Sequence, residues 1–209
     1  LETHFGNASL REEQQGQHFA CVEIALMLKT AVFVVASAGI AYISRASLRS
    51  PRSHGFYRFF AWEAILALIV LNVEHWFRDP FSLHQIISWI FLIASAFLVV
   101  HAVHLLRFIG KPTEQRRDSE ATIGFEKTTE LVAVGAYKYI RHPMYSSLLF
   151  LAWGVLFKDL SWLSGIFALA ATLFLVATAK AEEAEDIRFF GAAYQTYIKR
   201  TKRFIPFLF

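Results

Sequence analysis

The sequence predicts an all-α polytopic membrane protein, one integral membrane domain over residues 1–209, and three observations carry that expectation. Hydrophobic residues make up 56% of the chain and charged residues only 18%, with 21 Phe and a mean hydropathy of +0.41, which is more apolar than soluble domains are. Five stretches have the length and apolarity of membrane crossings. The basic residues cluster in the segments that five crossings would place on one side. The same composition excludes a disordered chain, and the single cysteine, Cys21, excludes an internal disulfide framework or a multi-cysteine zinc site.

A transmembrane helix needs roughly 20 mostly apolar residues to cross about 30 Å of hydrocarbon. The first such stretch runs from about Phe19 to Ile43, with Glu23 and Lys29 near its start and no charge from Thr30 onward. The first 18 residues are polar and the apolar run is long enough to span, so no cleavable signal peptide is expected. Asn7-Ala8-Ser9 matches a glycosylation triplet that is common by chance. The second stretch, about Phe59 to Phe77, contains Glu63, Asn72, Glu74 and His75, which either line a cavity or satisfy one another between helices. The third, Leu83 to Ile109, is the longest and most apolar. Met144 to Phe157 and Leu160 to Ala179, separated by Lys158 and Asp159, read as a helical hairpin. Its first arm has 14 residues, so it is expected to borrow length from the preceding segment or to be sheltered by its neighbours. Beyond it, Ile187, Phe190, Tyr194, Tyr197 and Ile198 recur at helical spacing and predict a C-terminal amphipathic helix, closed by Lys199, Arg200, Lys202 and Arg203.

The net charge is +4, and its distribution gives an orientation. Four arginines lie between the first two spans, seven Lys or Arg between Arg107 and Arg141, and six in the tail from Lys180, which is 17 of 21 basic residues on one face. The other face receives Arg11, Arg78 and Lys158. The positive-inside rule then places the C-terminus in the cytoplasm and the acidic N-terminal stretch, with Glu2, Glu12 and Glu13, outside.

Polar chemistry concentrates in two places. The segment from Lys111 to Tyr139 is too polar to span and carries Gly110, Pro112, Gly124 and Gly135 at or near it as breakers, so it reads as a cytoplasmic loop. It leads into Arg141-His142-Pro143-Met144-Tyr145, where Pro143 suits the first position of a helix and two cations stand at its mouth. As plain boundary features, Arg141 and His142 would be flanking charges and Tyr137, Tyr139 and Tyr145 an interfacial belt. At the far end of the hairpin comes Lys180-Ala181-Glu182-Glu183-Ala184-Glu185-Asp186, an acidic cluster against the charge trend. A two-span hairpin returns the chain to the side it left, so it brings Arg141-His142 toward Glu182-Glu183 at one membrane edge, where ionisable groups point to function.

Leu131-Val132, Gly135-Ala136-Tyr137, Arg141 to Tyr145, Glu182-Glu183, Phe190 to Tyr194, Tyr197 and Arg203 to Pro206 together resemble the isoprenylcysteine carboxyl methyltransferase family, over about residues 129 to 206. The related phospholipid N-methyltransferases share much of this pattern. The resemblance implies an integral membrane methyltransferase that uses S-adenosylmethionine, with residues 1–110 as a three-span part and 111–209 as the cofactor-binding catalytic part. It places cofactor contacts on Thr129, Glu130, Leu131, Val132, Tyr137, His142, Pro143, Met144, Tyr145 and Glu183. Catalytic positions by the same resemblance are Arg141, His142, Glu182 and Glu183. The implied partners are the lipid bilayer and a lipid-like methyl acceptor, with no nucleic acid, in a bacterial or archaeal-type inner membrane. One departure bears on the acceptor: the eukaryotic prenylcysteine enzymes carry an arginine about one turn before the acidic pair, and here that position is near Thr178, with Lys180 the nearest cation.

Methyl transfer from a sulfonium is an in-line displacement whose leaving group is already activated, so a protein mainly has to position two molecules. On that chemistry Glu182 or Glu183 would pair with the cofactor's amino group, Arg141 or His142 with its carboxylate, and Tyr137 or Tyr145 with its adenine or sulfonium. A carboxylate acceptor needs no base, whereas an amine would need one, from His142 or a Glu. The attacked atom, O, N or S, stays open. Two readings of other classes compete: a haem carrier using His75, His84, His101 and His104, and a non-enzymatic scaffold or transporter, which leaves the ordered tail motifs without a role.

Overall fold

The computed structural model describes residues 2–110 and 129–207, and the side chains of residues 15–17, 19–110 and 129–207. The side chains of Glu2, Asn7, Arg11, Glu12 and Glu13, and all of residues 111–128, lie outside the described residues. The described residues are helical apart from turns and one isolated bridge. In chain order the elements are α1 (Glu2–Ile43), α2 (Arg45–Leu48), α3 (His54–Asn72) with a 3₁₀ turn at Val73–His75, α4 (Leu83–Phe108), a 3₁₀ turn at Gly135–Lys138, α5 (Pro143–Leu156), α6 (Trp162–Phe190) and α7 (Ala192–Arg200).

Among them, Gln15–Ile43, His54–His75, Leu83–Phe108 and Trp162–Phe190 are long and apolar enough to cross a membrane. The fourth expected crossing, α5, has 14 residues and rises about 21 Å, short of a hydrocarbon core. It is sheltered: Ala152, Val155 and Leu156 are buried with Ala64, Ile65 and Leu68 of α3 and Ala168 and Ala171 of α6. The many alanines in this seam let backbones approach closely where apolar contact with lipid provides no driving force. Hydroxyls add cross-links. Ser88 and Ser95 of α4 donate to the carbonyls of Gly154 and Ser147 of α5, each at 2.7 Å.

Those contacts fix directions. Ser88 meets residue 154 while Ser95 meets residue 147, so α4 and α5 run antiparallel. His54 at the start of α3 meets Glu185 late in α6, and Asn72 at its end donates to Ser164 near the start of α6 at 3.0 Å, so α3 and α6 are antiparallel too. One end of the bundle therefore gathers His54, the end of α4, the hinge before α5 and the acidic turns of α6. The other end is closed by Lys158, whose ammonium donates to Gln85 Oε1 at 2.9 Å and to the Trp76 carbonyl at 3.3 Å and sits 3.7 Å from the Trp89 ring centre.

The polar residues of the second span divide between these roles. Asn72 bonds Ser164 and the Leu68 carbonyl, and Glu74 pairs with Lys29 of α1 at 2.8 Å. Glu63 Oε1 and His75 Nδ1 are buried without a hydrogen-bond partner among the described residues. The amphipathic helix expected across Ile187–Ile198 is instead broken: Ile187 and Phe190 belong to α6, and Gly191, at φ 60° and ψ −131°, turns the chain into α7. Only glycine adopts that conformation cheaply, so the tail doubles back over the bundle end.

Candidate functional site

The hinge before α5 is built from a glycine turn. Gly135 has φ +58°, and a Cβ there would meet His101 Nε2 at 2.6 Å and Leu105 Cδ1 at 2.7 Å. Its neighbour Ala136 donates its N–H to His101 Nε2 at 3.2 Å, which ties the hinge to α4. Gly135→Ala therefore combines a left-handed backbone penalty of about 1–2 kcal/mol with a clash against α4. Its expected outcome is a lowered melting temperature and a loosened Tyr137, measured by thermal unfolding in detergent.

The C-terminal segment then docks beside the hinge. Lys202 N–H donates to the Tyr139 carbonyl at 2.9 Å, and the N–H groups of Arg141 and His142 donate to the carbonyls of Lys202 and Arg203 at 2.8 and 3.1 Å. Tyr197 donates to the Tyr137 carbonyl at 2.6 Å, and Ser146 to that of Phe204 at 2.8 Å. Phe204 is buried with Ala61, Tyr145, Leu175 and Ala179. Residues 60 apart in sequence thus become one wall, and the Arg-His-Pro segment cannot be placed without the tail.

The charged groups form two adjoining sets. In the first, Glu183 is the hub: Arg141 Nε donates to its Oε1 at 2.8 Å, and Arg203 bridges both oxygens at 3.1 and 2.7 Å. Arg141 also donates to the carbonyls of Ile198 and Thr201. In the second, His142 Nδ1 lies 3.1 Å from Glu182 Oε2, and its Nε2 faces Glu183 at 3.4 Å, an ion pair rather than a hydrogen bond. Burial alone would lower the His142 pKa, but pairing with the two carboxylates outweighs it and raises the value from 6.5 to about 9. A group whose folded pKa is raised contributes stability that is fully present below its unfolded value and is lost as pH rises through the folded one. Wild-type protein should therefore lose melting temperature as pH climbs from neutrality through about 9. His142→Gln should flatten that slope in a pH series of thermal unfolding.

Between these groups lies a cavity. Of the residues proposed from sequence, Leu131, Val132, Tyr137, Arg141, His142, Met144, Tyr145 and Glu182 line it. Thr129 and Glu130 stand outside it, their N–H groups donating to the Gly110 carbonyl at 3.0 and 3.3 Å. Pro143, which opens α5, and Glu183, which pairs with Arg141 and Arg203, are not among the lining residues. Sequence reasoning missed His54, Leu106, Glu185 and Asp186, and did not assign Phe190, Tyr194 or Tyr197 to the site, although all of these line it. Burial pushes the hydroxyls of Tyr194 and Tyr197 up, so both remain protonated. Two of the four histidines of the haem reading take structural posts: His101 accepts from Ala136, and His84 sits between Ser82 and the Phe157 carbonyl, each at 3.1 Å.

Curated relatives agree with the methyl-transfer expectation at low identity. The chain is 26% identical over 122 residues, 58% of its length and 43% of the relative's, to a methanethiol S-methyltransferase of Pseudomonas deceptionensis. It is 36% identical over 73 residues, 35% of its length and 27% of the relative's, to methanethiol S-methyltransferase 2 of Bradyrhizobium diazoefficiens. The chain thus spans less than half the length of these relatives. No family model matches it, and no solved structure matches it.

Proposed function

We propose that this chain is an integral membrane methyltransferase that transfers the methyl group of S-adenosylmethionine to a lipophilic acceptor at the membrane–cytoplasm interface. In this reading the C-terminus is cytoplasmic and residues 111–209 form the catalytic part. The observation that carries it is the cavity at the bundle end, in which carboxylates, an imidazole and aromatic rings converge. The lining suits the donor part by part. Glu182 offers a carboxylate to its amino group, Tyr137, Phe190 and Tyr194 offer ring faces to its adenine and sulfonium, and Leu106 and Met144 offer an apolar side. Once bound, the donor supplies an activated methyl group. The chain's own residues orient it, keep the Tyr194 hydroxyl protonated, and hold the acceptor in line.

A second, narrower reading makes the attacked atom sulfur, which the names of the two relatives favour. The test incubates purified protein with methyl-labelled S-adenosylmethionine and, in parallel, a membrane lipid extract or methanethiol. Label in an extractable lipid supports the broad reading, and label in dimethyl sulfide supports the narrow one. Absence of label in both, with folded protein, contradicts the proposal.

A further inference from the structure

The cavity contains a second histidine whose surroundings differ from those of His142. His54, from the first turn of α3, is 1% exposed and lines the cavity together with Glu185. Its Nδ1 lies 2.7 Å from Glu185 Oε2, and its Nε2 is buried with no hydrogen-bond partner among the described residues. A carboxylate only accepts, so this contact fixes the neutral ring as the tautomer with its proton on Nδ1. The lone pair is then left on Nε2, and a buried acceptor without a partner is destabilising unless something fills its place. His142 cannot supply this acceptor, since both of its nitrogens face carboxylates.

We propose that His54, oriented by Glu185, is the general base that takes the proton of the methyl acceptor, and that the acceptor therefore arrives carrying a proton rather than as a carboxylate; among proton-bearing acceptors the names of the two relatives favour a thiol, arriving as S–H. The inference rests on the methyl-transfer reading above and deepens it by naming the substrate class. In the step, the acceptor S–H bond breaks and its proton passes to His54 Nε2. The acceptor sulfur uses the freed pair to form a bond to the methyl carbon as that carbon's bond to the sulfonium sulfur breaks, the bonding pair staying on the departing thioether. His54 later returns the proton to water. Glu182 and Glu185 of α6 and Arg58 of its own helix are the charged groups that set the field at His54.

The test compares wild type, His54→Gln and Glu185→Gln in detergent. Calorimetry measures S-adenosylmethionine binding, ultraviolet absorbance measures thiolate formed on adding methanethiol without donor, and single-turnover methylation of methanethiol is followed against pH. Expected are donor affinities in the variants within about threefold of wild type, a thiolate signal in wild type that is lost in His54→Gln, and a rate loss of about 10²–10⁴-fold. The variant's residual rate should rise about tenfold per pH unit toward the thiol's own pKa, while wild type levels off earlier. A His54→Gln protein with wild-type rate, thiolate signal and pH profile would overturn the proposal. Loss of donor binding in both variants would also overturn it, by assigning the pair to structure. Failure of wild type itself to bind S-adenosylmethionine would instead sink the parent reading.

Discussion

Replacing Glu183 with alanine is expected to cost the folded chain about 3–5 kcal/mol, the range for removing one partner of a buried ion pair. Glu183 is 11% exposed and holds Arg141, 8% exposed, and Arg203, 19% exposed, at distances of 2.7 to 3.1 Å. Without it, two guanidinium groups meet at the point where the tail crosses the hinge. Arg141 keeps its bonds to the Ile198 and Thr201 carbonyls, so the damage should fall on Arg203 and the docking of residues 201–206. The measurement is thermal unfolding in detergent together with limited proteolysis, with the tail cleaved first. Glu183→Gln should fall between, since it keeps the volume and loses the charge. A Glu183→Ala protein as stable and as protease-resistant as wild type would mean that backbone contacts and Phe204 alone hold the tail.

The second large effect is expected at Glu182. Its carboxylate lines the cavity and is held by His142 and by a hydrogen bond from Tyr145, so the proposed donor's amino group would be a further partner of this charge. Hydrogen bonds to charged groups are worth about 1.5–3 kcal/mol, so Glu182→Gln should weaken S-adenosylmethionine binding by about 10–150-fold. The fold should survive, because Glu183 and the two arginines are untouched. Calorimetric titration checks the affinity and thermal unfolding checks the fold. An unchanged dissociation constant would remove Glu182 from the donor site.

Much of the bundle was legible because it follows from periodicity and length. Four of the five expected spans appear as helices of crossing length, and the hairpin does bring Arg141-His142 to Glu182-Glu183. Proline at the first position of α5 was readable for the same local reason. What sequence reasoning missed depends on contacts distant in the chain. Nothing near His54 marks it as facing Glu185, because that meeting follows from the antiparallel packing of α3 on α6, 131 residues apart. Glu182 and Glu183 look equivalent in sequence, yet a 100° step along α6 sends one toward the cavity and the other toward two arginines. The split of the expected tail helix was visible only in Gly191, and glycine in a helical pattern is ambiguous until its positive φ is seen.

Methyl transfer at this site requires that the space between the Arg-His-Pro hinge, the acidic turns of α6 and the rings of α7 receive a sulfonium nucleoside. The most direct measurement is a structure of the purified protein determined with S-adenosylhomocysteine bound. Density is expected for the adenosine against Tyr137 and Tyr194 and for the amino acid portion beside Glu182. Density for the nucleoside at the Lys158 end of the bundle, or a cavity that stays closed at saturating ligand, would contradict it.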